Sequence, residues 1–259
     1  MNDPARGFTR AFLQELGNGR LRREEALLQE HLQSLGIPCA PYTLKRIQRR
    51  QLPLSRDTLV VGDMDAMHGA MQQLKIDIPR PNDYPVSLAP YFRRRIWKST
   101  LGEVRRHVYE GDGTRVFAKP ADRRKCFTGR VFDSPDDFYS VGITSLRETV
   151  WCADVVEWVS EYRVYARGEE ILEIDHYSGD SSVTVSREVV ENALRAYRHS
   201  GESPAAYGID FGVLTTGETA LVEANDGYAL GAYQIASAPY SEVVLTRWRE
   251  LVDSAPVDG

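Results

Sequence analysis

Residues 208–226 read GIDFGVLTTGETALVEAND, two apolar runs separated by the turn-forming Thr215, Thr216 and Gly217. Read as two strands of a hairpin, the runs bring Asp210 to the same end as Glu223 and Asn225. Glu223 and Asn225, two residues apart on one strand, share a face. Three oxygen donors then converge on one point. Hard oxygen donors with open positions suit Mg2+ held jointly by protein and phosphate oxygens, because Mg2+ sheds its water reluctantly and is seldom fully caged by protein. The pattern points to a chain that uses ATP.

Composition narrows the field. A chain of 259 residues, 42% of them apolar, can bury an ordinary core in one large or two to three small domains. The net charge of −5 argues against a general nucleic-acid binder, whose affinity comes from neutralising phosphates. The charge is uneven: residues 1–110 carry 18 positive and 12 negative side chains, residues 111–259 carry 14 and 25. A basic part facing an acidic one could hold an anionic substrate near a metal, although solvated surface is the commoner origin of such charge. Cys39, Cys126 and Cys152 are odd in number and widely spaced, which fits neither a disulfide framework nor a zinc knuckle. With no apolar stretch long enough to span a membrane and no secretory pattern, the expected location is the cytoplasm, without membrane or nucleic-acid partners.

Along the chain, residues 1–20 read as a short helix and loose lead-in. EEALLQEHLQSLG has the apolar spacing of an amphipathic helix ended by Gly36. IPCAPYTL reads as a strand, and TLVVGDMDAMHGAMQQLKI as a buried strand, a turn at Gly62 and a helix bearing Met64, Met67 and Met71. These make a small α/β unit. The prolines of IPRPNDYPVSLAPYF mark a boundary near residues 79–92. Beyond it, IWKSTLGEVRRHVY reads as helical, RVFAKPA as a strand into a turn, and the run around Gly168 as a hairpin. A helix is expected from Ser186 to Tyr197, and a last one from Ser241 to Leu251.

Further side chains suggest chemistry. Lys119 ends an apolar strand and precedes a basic loop reaching Thr128 and Gly129, a plausible phosphate clamp, although a lone lysine there is more often an exposed strand-edge residue. Glu161 and Arg163 alternate on a strand and share a face. Arg163 could stabilise charge on a transferred phosphate while Glu161 takes ribose hydroxyls, or the two could belong to a cross-strand ion pair. The apolar VVEWVS could present backbone groups to an adenine edge, although Trp158 reads as core. Of the histidines only His176, beside Asp175, stands out. Neither a Gly-x-x-x-x-Gly-Lys loop nor a Gly-x-Gly-x-x-Gly fingerprint is present.

Taken in order, the strand-end Lys119, the loop to Gly129, the strand VVEWVSEYR and the Asp210, Glu223, Asn225 hairpin resemble the ATP-grasp superfamily. In detail, AKPADRRKCFTGRVF and SEYRVYARGEEILEIDHYSGD resemble its clade marked by two lysines and an arginine, related to the ligases that add glutamate to ribosomal protein S6. The resemblance spans residues 20–250. It implies an α+β, ATP-grasp fold of two lobes clamping ATP, preceded by a small α/β domain. The boundaries that follow are a lead-in at 1–20, an N-terminal domain at 21–92, a first lobe at 93–157 and a second lobe with the metal site at 158–253. It also implies a carboxylate–amine ligase acting through an acyl phosphate, with ATP and Mg2+ as cofactors and a carboxylate and an amine acceptor as partners. A phosphotransferase on the same scaffold and a non-catalytic nucleotide-binding module are the alternatives. On this resemblance Lys98 (or Arg95), Lys119 and Lys125 become phosphate ligands, and Glu157, Trp158 and Val159 the adenine hinge. Glu161 binds ribose, Arg163 contacts the transferred phosphate, and Asp210, Glu223 and Asn225 hold the metal. An Asp210→Asn variant is expected to lose turnover with the fold intact.

Overall fold

A computed structural model describes residues 5–111, 113–122 and 126–255. The chain opens with β1 (Arg10–Gln14), α1 (Arg23–Ser34), β2 (Cys39–Tyr42), α2 (Leu44–Gln48), β3 (Thr58–Val61) and α3 (Met64–Gln73). The three strands form a parallel sheet in the order β2-β1-β3, which needs the helical crossovers that α1 and α2 provide. The short helix and lead-in expected in residues 1–20 are therefore corrected, because Arg10–Gln14 is the middle strand. Its Ala11, Phe12 and Leu13 are buried, but three apolar residues in a row are too few for their period to distinguish strand from helix.

Next come β4 (Ile96–Thr100), α4 (Leu101–Glu110), β5 (Val116–Pro120), β6 (Arg130–Phe132) and β7 (Thr149–Asp154), an antiparallel sheet in the order β4-β7-β5-β6. The helix expected over residues 96–109 starts only at Leu101. Aromatic and β-branched residues favour the strand before it, and Thr100 and Glu103 form a reciprocal capping box at the junction. Leu101, Val104, Ala118, Phe132, Val150 and Cys152 make a separate core beneath α4. Phe117, Lys119, Trp151 and Ala153, alternating with them along β5 and β7, face the other way.

Val155, Val156 and Glu157 then cross to β8 (Trp158–Arg167), followed by β9 (Glu170–Gly179), α5 (Arg187–His199), β10 (Ala206–Leu214), β11 (Thr219–Asp226) and α6 (Ser237–Ser254). The strands form a second antiparallel sheet, β11-β10-β8-β9. One face packs Val164, Ala166, Tyr207, Ile209 and Phe211 against Val190 and Leu194 of α5. Residues of opposite parity on β8 and β10, Arg163 and Asp210 among them, face away from α5. Helix α6 begins four residues before the expected Ser241, because Pro239 falls in its first turn, where no intrahelical N–H is needed. Its Trp248 is fully buried and donates from Nε1 to the Thr58 carbonyl at 2.9 Å, so α6 packs against the N-terminal sheet. Among the described residues no helix is long and apolar enough to cross a membrane.

Candidate functional site

Strand pairing sets the acid–amide group. Asp210 lies opposite Glu223, Gly208 opposite Asn225, and the hairpin closes at Gly217, whose φ of +84° suits glycine. Asn225 Nδ2 donates to Glu223 Oε1 at 3.2 Å and lies 3.5 Å from Asp210 Oδ2, so the three side chains do meet. On the other side of β10, Arg163 is the direct partner of Asp210. Its Nε and Nη2 donate to the two carboxylate oxygens at 2.8 and 2.7 Å, a two-pronged fork. Burial, opposed by Arg163, pushes the Asp210 carboxyl up to about 6.

Lys119 completes the cluster from the first sheet. Its Nζ lies 2.5 Å from Glu223 Oε2 and 2.8 Å from Asp83, and 4.5 Å from the centre of the Tyr84 ring. Burial would lower the Lys119 pKa, but the carboxylates of Glu223 and Asp83 hold it above the usual lysine range. Burial would likewise raise Glu223, and Lys119 holds it below the usual carboxylate range. Gly129 presses onto β5 here: a Cβ would lie 2.8 Å from Phe117 Cζ and 3.0 Å from Lys119 Cβ, so a larger residue would have to push the Phe117 ring aside.

These groups sit at one end of a cleft of ≈ 410 Å³ between the two sheets, walled by Phe117, Val131 and Ala153 on one side and by Trp158, Glu161 and Val222 on the other. Glu161 faces this cleft and accepts from the Tyr177 hydroxyl at 3.2 Å. The residues expected as the adenine hinge do not all line the cleft. Val155, Val156 and Trp158 line the cleft, whereas Glu157 and Val159 do not. The carbonyls of Glu157 and Val159 accept from the Thr215 and Asp180 amides at 3.3 and 2.8 Å, so they serve the sheet and its turns. Trp158 is wedged against Gly212, where a Cβ would lie 2.4 Å from its ring.

Lys98 and Arg95, the alternatives for the upstream phosphate ligand, lie in different surroundings. Lys98 and Lys119 are both direct partners of Trp151, one on each neighbouring strand, and Lys98 Nζ lies 4.8 Å from the centre of that ring. Lys98, Trp151 and Lys119 thus form one row on the cleft face. Arg95 instead stacks on Trp97 at 4.3 Å and pairs with Asp154 at 3.2 Å, bordering a different cavity. Lys125 lies outside the described residues.

Several site residues have no signal in the sequence. Asp83 and Tyr84 come from the proline-rich stretch read as a linker, and Tyr233 lies under Arg163 at 5.0 Å. Arg94, which also lines the cleft, donates to the Leu221 and Val222 carbonyls at 2.6 and 3.0 Å, which fixes it to β11. Beside His176, Asp175 accepts from the amides of Gln234 and Ile235, each at 2.7 Å, an anchoring role.

Two four-stranded sheets closed over a cleft, with a lysine, an arginine and an acid–amide group at one end, define an ATP-grasp protein. The chain belongs to that superfamily: residues 91–243 match the ATP-grasp domain, R-2K clade family 2. ATP is the ligand this family implies. Among solved structures, the chain is similar to D-alanyl-alanine synthetase A from Vibrio cholerae O1 biovar eltor, at 12% identity and a TM-score of 0.57, over 95% of this chain and 99% of that one. It is also similar to the ATP-grasp ligase PsnB complexed with minimal precursor, at 13% identity and a TM-score of 0.54 over 93% and 99% of the two chains. A third is the D-cycloserine synthetase DcsG, at 12% identity and a TM-score of 0.54 over 92% and 99%. At these identities the likeness is one of fold. No curated protein matches the sequence.

Proposed function

We propose that this protein is an ATP-dependent carboxylate–amine ligase, with residues 93–157 as the first lobe, 158–253 as the second, and the N-terminal sheet as a substrate-side unit. The observation that carries it is the meeting of Lys119, Arg163, Asp210, Glu223 and Asn225 at one end of the intersheet cleft. The donor set fits Mg2+: two carboxylates and an amide carbonyl are hard oxygen ligands, too few for a cage, which leaves positions for phosphate oxygens and water. Asp210, Glu223 and Asn225 would hold it, and when bound it supplies charge neutralisation for the transferring phosphoryl group.

In the proposed reaction a carboxylate oxygen attacks the γ-phosphorus of ATP, and ADP leaves. An amine then attacks the acyl carbon and inorganic phosphate leaves, giving an amide. The protein's part is placement and charge. Lys119 and Lys98, in one row on the first sheet, neutralise phosphate oxygens. Arg163, already aimed by Asp210, faces charge that develops on the transferred group. Trp158, Val155 and Val156 wall the cleft for the base, and Glu161 stands ready for ribose hydroxyls.

The test is calorimetric titration of a non-hydrolysable ATP analogue with Mg2+, followed by ADP release with pairs of carboxylates and amines. The structure revises the choice of variant. Asp210→Asn leaves the buried Arg163 without its counter-charge and so perturbs the fold, whereas in Glu223→Gln Lys119 keeps Asp83. Glu223→Gln is expected to lower turnover by about 10²–10³-fold, the scale of one preorganised electrostatic contact. Wild-type ADP release unaffected by that variant would overturn the assignment.

A further inference from the structure

Glu161 and Arg163 are joined by a small aromatic shelf. Tyr177 and Tyr233 both line the intersheet cleft. Their rings stack, with centroids 4.8 Å apart and planes inclined by 14°. The Tyr177 hydroxyl donates to Glu161 Oε2 at 3.2 Å, and the Arg163 guanidinium lies 5.0 Å from the centre of the Tyr233 ring. A continuous set of contacts therefore runs from the carboxylate proposed for ribose to the guanidinium proposed for the transferred phosphate.

The backbone puts both tyrosines there by specific devices. Along β8 and β9, Glu161 pairs with Ser178 and Tyr162 with His176, so Tyr177 is the extra residue of a β-bulge. Bulges re-aim a side chain at the expense of one ladder position. Tyr233 lies between β11 and α6, where its amide donates to the Tyr165 hydroxyl at 3.1 Å and the next two amides donate to the buried Asp175. Its backbone is thus pinned to β8 and β9, while its ring, 38% exposed, stays in the cleft. Burial, with the charges of Asp210 and Glu161, holds the Tyr177 hydroxyl above the usual tyrosine range, so it remains a donor at neutral pH.

Donor counting shows what the shelf can do. Of the five N–H groups of Arg163, two go to Asp210 and one to the Gly231 carbonyl at 3.3 Å, which leaves one on each terminal nitrogen without a partner among the described residues. Both Asp210 oxygens are engaged by Arg163, yet Asp210 is also a proposed metal ligand. A cation on either oxygen competes with that fork. The Tyr233 ring and the Gly231 carbonyl hold the guanidinium independently of Asp210, so they keep it in place when the carboxylate is shared. At the other end, Tyr177 engages one oxygen of Glu161 and leaves the second for a ribose hydroxyl.

We propose that Tyr177 and Tyr233 are positioning residues that couple the two ends of the nucleotide site: the stack holds Glu161 for a ribose hydroxyl and Arg163 for the γ-phosphate, and neither contact reaches full strength without it. This rests on the ligase reading above.

The experiment titrates the full chain by calorimetry, with Mg2+ present, against ADP, 2′,3′-dideoxy-ADP and a non-hydrolysable ATP analogue. The affinity ratio of analogue to ADP reads the γ-phosphate contact, and that of ADP to its dideoxy form reads the ribose contact. Tyr233→Leu should reduce both ratios by about five- to tenfold, the scale of a partly desolvated cation–π contact, and Tyr233→Phe should restore both. Tyr177→Phe, which keeps the stack and loses the hydroxyl, should reduce the ribose ratio alone by about tenfold, the scale of one hydrogen bond to a charged group. Tyr177→Leu should reduce both, and combining it with Tyr233→Leu should reduce them no further than either change alone. A tyrosine that merely supports the fold would weaken all three nucleotides alike and leave the ratios where they are. Unchanged ratios in Tyr233→Leu, or losses that add in the double variant, overturn the proposal. Where Tyr233→Leu does not fold, Tyr177→Phe decides, and an unchanged ribose ratio overturns it. A wild type indifferent to the ribose hydroxyls, or one that binds no nucleotide, overturns it outright. The two readings fail separately. Ratios that respond as expected, with no ADP release for any carboxylate and amine pair, sink the ligase reading alone, and wild-type ADP release with ratios that ignore Tyr233→Leu sinks this one alone.

Discussion

Lys119 offers a perturbation whose sign reverses with its surroundings. In the wild type its ammonium sits between Asp83 at 2.8 Å and Glu223 at 2.5 Å, with side-chain exposures of 11% for Lys119, 7% for Asp83 and 29% for Glu223. Lys119→Met leaves two carboxylates facing each other without a cation. Breaking a buried pair by removing one partner costs about 3–5 kcal/mol, and the partial exposure of Glu223 places this case toward the lower end. In an Asp83→Asn, Glu223→Gln background the same lysine is the uncompensated charge. There Lys119→Met removes it and restores an all-neutral cluster, which is often as stable as the ion pair or more so. The substitution should therefore destabilise the wild type by roughly 3 kcal/mol and stabilise the double variant by a similar amount. Urea unfolding at constant m-value measures both. A loss of equal size in the two backgrounds would mean that Lys119 contributes through packing alone, and the three charges would not be a coupled set.

Other sites give sharper single readouts. Gly212→Ala places a Cβ 2.4 Å from the Trp158 ring, so unfolding midpoints should fall by the equivalent of about 1–3 kcal/mol and Trp158 should shift toward the cleft, weakening ATP-analogue binding; unchanged affinity and stability would show that the indole moves freely. Lys98→Ala should weaken the analogue, whereas Arg95→Ala, on the face away from the row of lysines, should not; calorimetry on the two variants decides it. Arg247, 8% exposed, holds both Asp226 oxygens at 2.7 and 2.8 Å, so Arg247→Ala should cost about 3–5 kcal/mol in urea unfolding, and a loss under 1 kcal/mol would refute its role as a clamp.

What could be read from the chain and what could not divides along sequence distance. The hairpin that brings Asp210, Glu223 and Asn225 together was legible because they are thirteen and fifteen residues apart, joined by a turn with its glycine, and a period of two says which side chains share a face. The pairing of Arg163 with Asp210 was not, because it depends on β8 and β10 lying side by side across an intervening strand and helix. Asp83 was read as linker for the same reason: its salt bridge to Lys119 spans two elements, and its carbonyl accepts from the Ala224 amide at 2.9 Å. Prolines announce a break in regular structure but say nothing about what the broken segment touches. The division of the expected hinge residues has a different origin. Valines at 155 and 156 and a tryptophan at 158 read as one continuous strand, and only the crossing from one sheet to the other reveals which of them meet the cleft.

The distribution of cores has a mechanical consequence. The first-lobe core draws only on residues from Trp97 to Cys152, so it is self-contained. The core around the N-terminal sheet also takes in Tyr165 and Ala206 of the second-lobe strands and nearly the whole buried face of α6. Arg56 donates to the Val252 and Ala255 carbonyls at 2.7 and 2.9 Å, and Arg247 on the same helix grips Asp226, next to Asn225 in the chain. Helix α6 thus ties the end of the β10–β11 hairpin to the parallel sheet. The first lobe is joined covalently only at the segment leading into Arg94 and at Val155, Val156 and Glu157. Any opening of the cleft must therefore move Lys98 and Lys119 together as one row, while Arg163 and Asp210, paired on neighbouring strands, stay together. The arginine proposed to face the transferred phosphate thus belongs to one packed body, and the lysines proposed to hold the phosphates belong to the other.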